Sequence, residues 1–325
     1  MLSFKRWNVS ISMALLGLCA LQPELALGQF GDEAVTTARL GPAKTARWRV
    51  GISVKAGGPV AGIFATFPVP TEWPEQQVRV VKEDFSPHIS DVDSRVLDSG
   101  VKQMLVTIPQ IPAGGTAEAI LTFEVDRHPI LAPEDTSIYE RPEKRRLPKD
   151  VRPYLGASPL IEVRNSKITA LARQLRDDEL SAWEQVEKIY DDVRERVKYE
   201  NGPIKGALAA LRDGTGDCEE LTSLFIALCR SLDIPARTVW VPDHCYPEFY
   251  LIDAQGNGHW FPCQAAGTRA FGSMPEERII LQKGDNFRVP EKRQPQRYVA
   301  EFLSAKNVHG TPPQVSTIRQ VLLAE

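Results

Sequence analysis

Hydrophobic and polar positions change period twice along the chain. In Trp48-Arg49-Val50-Gly51-Ile52-Ser53-Val54-Lys55 they alternate, which places the apolar set on one face of a strand. Ile63, Ala65, Phe67 and Val69 repeat the pattern, as do Met104, Val106 and Ile108, and then Ala119, Leu121, Phe123 and Val125. Pro, Gly and Asp-Ser segments separate these runs. Between about 128 and 160 the pattern breaks at His128-Pro129, Ala132-Pro133, Arg141-Pro142, Leu147-Pro148, Arg152-Pro153 and Ser158-Pro159. Repeated Pro blocks helices and sheet ladders alike, so an extended connection is expected. From about 165 the spacing becomes helical. Ile168, Leu171, Ala172, Leu175 and Leu180 predict one helix, and Trp183, Val186, Ile189, Tyr190 and Val193 a second. Ala207 to Leu211 predicts a short helical turn, and Leu221 to Leu232 a largely buried helix closed by Pro235.

These patterns predict an α+β chain. Residues 30–130 read as a β-sandwich of immunoglobulin-like type, 131–160 as a Pro-rich linker, 161–305 as an α+β domain, and 306–325 as a polar, mobile tail. The sandwich gathers no catalytic residue types and reads as a scaffold or binding module. Ahead of it, Lys5 and Arg6, the apolar stretch 11–21 and Ala26-Leu27-Gly28 have the order of a cleaved signal peptide over 1–28. The chain is therefore expected to be exported, to the periplasm or beyond the cell. No later stretch is long and apolar enough to span a bilayer. With 39 basic and 42 acidic side chains the net charge is −3, which gives no electrostatic case for nucleic acid.

Candidate chemistry is concentrated in Gly214-Thr215-Gly216-Asp217-Cys218-Glu219-Glu220. Two glycines read as a flexible approach. Asp217 as N-cap and Glu220 three residues on make a capping box, so Cys218 falls in the first turn of the buried helix. Helix N-termini favour thiolate, whereas Asp217, Glu219 and Glu220 oppose it. On local features alone, a nucleophile and a small buried side chain both remain open. Cys229, eleven residues further on, reads as core.

Arg237 to Val241 predicts a buried strand, and His244 to Ile252 with Gly258 to Gln264 a hairpin turning at Asp253–Asn257. The hairpin brings His244 towards Gln264, whose amide oxygen can accept from the Nδ1–H of the imidazole and fix its tautomer. Zinc does not fit His244, Cys245, His259 and Cys263. Neighbours on a strand face opposite ways, and His259 and Cys263 would lie about 13 Å apart. If His244 faces Gln264, Cys245 faces Cys263, and a disulfide there would staple the two strands. No cofactor is expected.

Gly-Thr-Gly-Asp-Cys218, the apolar helix after it, Asp-Ile-Pro-Ala-Arg237, and His244 with Glu248 and Tyr250 together resemble the transglutaminase-like superfamily over roughly 165–270. The resemblance implies a papain-like fold in which the Cys opens a helix, the His opens the following strand and an Asp ends the next one. By position the third member falls at Gln264, where the family usually has Asp. That departure admits a working triad with an amide orienter, a substitute carboxylate such as Asp243 or Asp253, or a weakened enzyme. The implied activity is attack of Cys218 on an amide of a protein or peptide, with His244 as base and hydrolysis favoured over crosslinking. The competing expectation is a scaffold that has lost catalysis.

Overall fold

Strands form where side chains alternate, because alternation lets a half-buried sheet keep one face in its core. The structure is a computed structural model that describes residues 39–322, so the expected signal segment 1–28 lies outside the described residues. β1 (Arg39–Leu40), β2 (Lys44–Lys55), β3 (Val60–Val69), β4 (Gln76–Phe85), β5 (Asp91–Val96), β6 (Lys102–Ile111), β7 (Thr116–Arg127) and β8 (Ile130–Leu131) follow in order. Trp48, Val50, Ile52 and Val54 of β2, beside Leu121, Phe123 and Val125 of β7, are buried against Ile63, Ala65 and Phe67 of β3 and Val106 and Ile108 of β6. These side chains form one cluster, so two antiparallel sheets share a core.

The Pro-rich segment, expected to be extended, is a strap with short 3₁₀ turns at Lys144–Arg146 and Arg152–Leu155, held against the rest of the fold. Glu140 exchanges backbone hydrogen bonds with Ile252 at 2.8 and 3.0 Å, and Leu147 and Val151 pack on Tyr250 and Trp260. The helical part follows as α1 (Ser166–Leu175), α2 (Ala182–Arg196), β9 (Lys198–Tyr199), α3 (Ala207–Asp213), β10 (Thr215–Gly216) and α4 (Cys218–Ser231). Leu180, expected in the first helix, lies beyond its end. Then come β11 (Ala236–Val241), β12 (His244–Ile252), β13 (Gly258–Pro262) and β14 (Gln282–Lys283), in the sheet order β13-β12-β11-β14. Leu224, Phe225 and Leu228 of α4 bury themselves against Phe249 and Leu251 of β12 and against α1 and α2. Among the described residues, no helix is long and apolar enough to cross a membrane.

The segment expected to be a mobile tail is strand. β15 (Phe302–Ser304) and β16 (Asn307–Val308) pair with β3, and β17 (Gln314–Leu322) pairs with β2 along its whole length. The two sheets thereby read β17-β2-β7-β4 and β15-β3-β6-β5. Most side chains of β17 are exposed, so its ladder of backbone bonds holds it, and a polar sequence conceals that role.

One buried ionic cluster ties the N-terminal sheets to the α4-bearing part. Lys283 Nζ lies 2.6 Å from Glu75 Oε1 and 2.8 Å from Glu248 Oε1, and Arg237 Nε lies 2.9 Å from Glu248 Oε2. Arg237 also stacks 4.1 Å above the Trp260 ring. Beside the cluster, the Gln76 amide substitutes for a strand partner, accepting from Ile280 N at 2.7 Å and donating to Ile280 O at 2.9 Å. Burial pushes the Glu248 pKa up, but Lys283 and Arg237 outweigh it and the net direction is down. The stabilisation from Glu248 is therefore complete above its unfolded value of 4.5 and is lost as pH falls below it. Lys283→Met, which strands the buried Glu75 carboxylate and leaves Glu248 with Arg237 alone, is expected to lower unfolding free energy by about 3–5 kcal/mol, measurable by urea denaturation at neutral pH.

Candidate active site

The turn before α4 is rigid, contrary to the flexible approach its glycines suggested. Gly214 ends α3 in the left-handed region at φ 67°, and Thr215–Gly216 pairs in parallel with Lys198–Tyr199. A Cβ on Gly216 would stand 2.4 Å from Glu220 Cβ, so a side chain there would expel Glu220 from its place. Glu220 is buried because it is fully used. Its Oε2 accepts from Asp217 N at 3.2 Å, and its Oε1 from Lys205 N at 2.8 Å and Gly206 N at 3.2 Å. Asp217 completes the capping box by accepting from the N–H groups of Glu219 and Glu220. Neither capping bond uses the N–H of Cys218, which sits at the first helical position.

Cys218, His244 and Gln264 are brought together. The half-buried Cys218 thiol is drawn down from 9.0 to about 4, first by a hydrogen bond from the Cys245 thiol and then by the hydrogen bond and charge of His244, against the cost of burial. Burial, together with its role as donor to Cys218, pushes Cys245 up. Cys229 and Cys263 are buried and pushed up by desolvation. The acidic neighbours carry the charge conflict themselves. Burial lifts Asp217 to about 6 and Glu219 to about 7, although Arg297 pairs with Glu219 and opposes its rise.

His244 Nε2 lies 2.9 Å from Gln264 Oε1. The contact is made at Nε2 rather than the expected Nδ1, which leaves Nδ1 for Cys218. Gln264 is in turn held from three sides. Its backbone O accepts from Tyr190 Oη and Arg194 Nη1, both at 2.9 Å, and its N donates to Ala270 O at 2.8 Å. Its side-chain Nε2 donates to Glu276 Oε2 at 3.4 Å. Arg278 forks onto Glu276 and donates through Nη1 to Pro242 O at 2.8 Å. Of the two substitute carboxylates, Asp253 is engaged elsewhere, bonding the buried His259 at 2.9 Å across the hairpin turn, while Asp243 turns the chain into β12 at φ 57°.

The expected Cys245–Cys263 disulfide is absent. All four described cysteines are free thiols. The hairpin pairs Glu248 with Pro262 and Phe249 with Phe261, so Cys263 N meets Pro247 O at 3.0 Å, two residues beyond Cys245. The five-residue turn sets this register, with Asp253 N bonded to Asn257 O at 2.9 Å. Sequence reasoning also missed the thiol contact between Cys245 and Cys218. Among the described residues, no group of three or more His, Cys, Asp or Glu side chains could hold a metal ion.

Residues 169–265 match the transglutaminase-like superfamily. Cys218, His244 and Gln264 all fall inside this segment, whereas Glu276 and Arg278 lie beyond it. A crystal structure of a Cytophaga hutchinsonii protein, named there a candidate cysteine protease, is similar at TM-score 0.58 and 19% identity, covering 86% of this chain and 92% of that one. The likeness in fold therefore extends past the matched segment to most of the chain. No curated protein matches it.

Folded protein is expected to show a single fast thiol towards a disulfide reagent at neutral pH, that of Cys218, because the other three described cysteines are buried. After denaturation without reductant all four should react; two would indicate a disulfide.

Proposed function

We propose that the protein is a cysteine-dependent amide hydrolase or acyltransferase acting on proteins or peptides, with hydrolysis the favoured outcome. The observation that carries this reading is the placement of a half-buried Cys218 at the start of α4, of His244 at the start of β12, and of Gln264 Oε1 2.9 Å from His244 Nε2. A helix-terminal thiolate beside an imidazolium is the reactive form for acyl transfer. Cys218 Sγ attacks the amide carbonyl carbon. The Cys218 N–H, left unused by the cap, is placed to stabilise the oxyanion. The His244 Nδ1 proton passes to the leaving amine as the C–N bond breaks, leaving an acyl-thioester. Water then attacks the thioester, giving its proton to Nδ1, and the acid departs as Cys218 returns to thiolate. An amine in place of water would give transfer. Gln264, accepting from Nε2–H, holds the ring in the tautomer both steps require.

The name given to the Cytophaga hutchinsonii protein agrees with hydrolysis, and the match of residues 169–265 to the transglutaminase-like superfamily agrees with a cysteine-dependent enzyme. Within the same proposal the protein is exported through its N-terminal signal, and its first two sheets are an immunoglobulin-like module that presents or recognises the substrate.

The test is the rate of iodoacetamide labelling at Cys218 against pH. Labelling is expected to be fast from about pH 5 upward in the intact protein, because a thiol with pKa about 4 is already ionised there. In His244→Ala the fast phase should vanish below about pH 7. Slow labelling of both proteins at pH 6 would instead mean a buried structural thiol and a scaffold role.

A further inference from the structure

Gln264 is neutral, and an amide by itself can hold the His244 ring without stabilising its charge. A carboxylate stands one hydrogen bond further out. The Gln264 amide touches His244 Nε2 through Oε1 at 2.9 Å and Glu276 Oε2 through Nε2 at 3.4 Å. An ionised carboxylate accepts and cannot donate, so Glu276 dictates which way round the amide lies. It turns the NH₂ group to itself and the oxygen to the histidine, which must then carry its proton on Nε2. Glu276 is in turn fixed by the Arg278 fork, and Arg278 Nη1 is bonded to Pro242 O at 2.8 Å, two residues before His244. The carboxylate and its guanidinium, both beyond the matched segment, thus close one circuit with the turn that aims His244.

We propose that Glu276 is a positioning residue for the Cys218–His244 pair, acting through Gln264. It fixes the amide, thereby the Nε2–H tautomer, and thereby the nitrogen that faces Cys218. It also sets a negative charge near the imidazolium at the remove of one amide, in place of a carboxylate at position 264. This rests on the reading of Cys218 and His244 as a thiolate–imidazolium pair. Asp217, Glu219, Cys245, Arg278 and Tyr199 also influence or feel the Cys218 charge, and all stay unchanged in the variants below.

The test removes the carboxylate and then restores one nearer the ring. Cys218 labelling by iodoacetamide is measured against pH in the full chain, with thermal melting in parallel. Glu276→Gln, which keeps the packing and drops the charge, and Glu276→Ala are each expected to raise the labelling midpoint by about one pH unit, about a tenfold loss of thiolate below it. Gln264→Glu added to Glu276→Gln sets a carboxylate directly on His244 and should return most of that shift, a rescue that mere loss of packing at position 276 does not produce.

A folded Glu276→Ala protein with the original profile would overturn the proposal. So would a double variant no better than Glu276→Gln alone. His244→Ala separates the two levels: if it leaves the profile unchanged, the thiolate–imidazolium reading itself fails. If it changes the profile while Glu276→Ala does not, only the role of Glu276 fails.

Discussion

The arrangement depends on four charges that share almost no water. Glu248 sits on β12, the strand that His244 opens, and its carboxylate is divided between Lys283 on one side and Arg237 on the other. Lys283 reaches across to Glu75, from the loop that begins β4. Such a cluster tolerates little displacement, because each ion is desolvated and survives only in the company of the others. The strand that aims the imidazole is therefore locked both to its sheet neighbours and to the N-terminal sheets. Helix α4 is pressed against the same strand by Leu224, Phe225 and Leu228, so the nucleophile and its partner approach along two rigid elements with one common support. A reactive pair needs that stiffness, since its contacts lose their effect over fractions of an ångström.

The electrostatics of the pocket follow a division of labour. Glu220 is spent on backbone N–H groups and is neutralised as an obstacle by the bonds it accepts. Asp217 caps the helix. Glu219 is left to absorb the proximity of the thiolate, moderated by Arg297. An acidic sequence around a nucleophile is thus compatible with a lowered thiol pKa, provided the carboxylates are engaged elsewhere and hydrogen-bond donors reach the sulfur directly.

How much of this was legible in the sequence depended on distance along the chain. The Cys218 helix start could be read because a capping box is local, each residue being within three of the other. His244 and Gln264 could be paired because a hairpin with an evident turn links them. The register of that hairpin was missed by two residues, since the turn length, not the wish to bring His244 opposite Gln264, determines it. Glu276 and Arg278 sit in Pro-Glu-Glu-Arg, a run with no period, and only the folded chain reveals what they face. β17 was unreadable for a different reason. An edge strand held by backbone bonds carries little hydrophobic signature, so Gln314-Val315-Ser316-Thr317 looks like a loose end.

The pairing of β17 with β2 and of β15 and β16 with β3 has a bearing on how the molecule comes into being. A ribosome makes β2 and β3 early, and their outer edges stay bare while the strap, the four helices and the whole of the β11–β14 sheet are still to come. Bare edges are invitations to pair with any extended chain nearby. The nucleophile is thus made well before the frame around it can close. Contacts this distant in sequence also make for slow maturation. A nascent chain of this kind spends an appreciable time with its thiol present and its sheets unfinished, the interval in which a folding helper would have most to do.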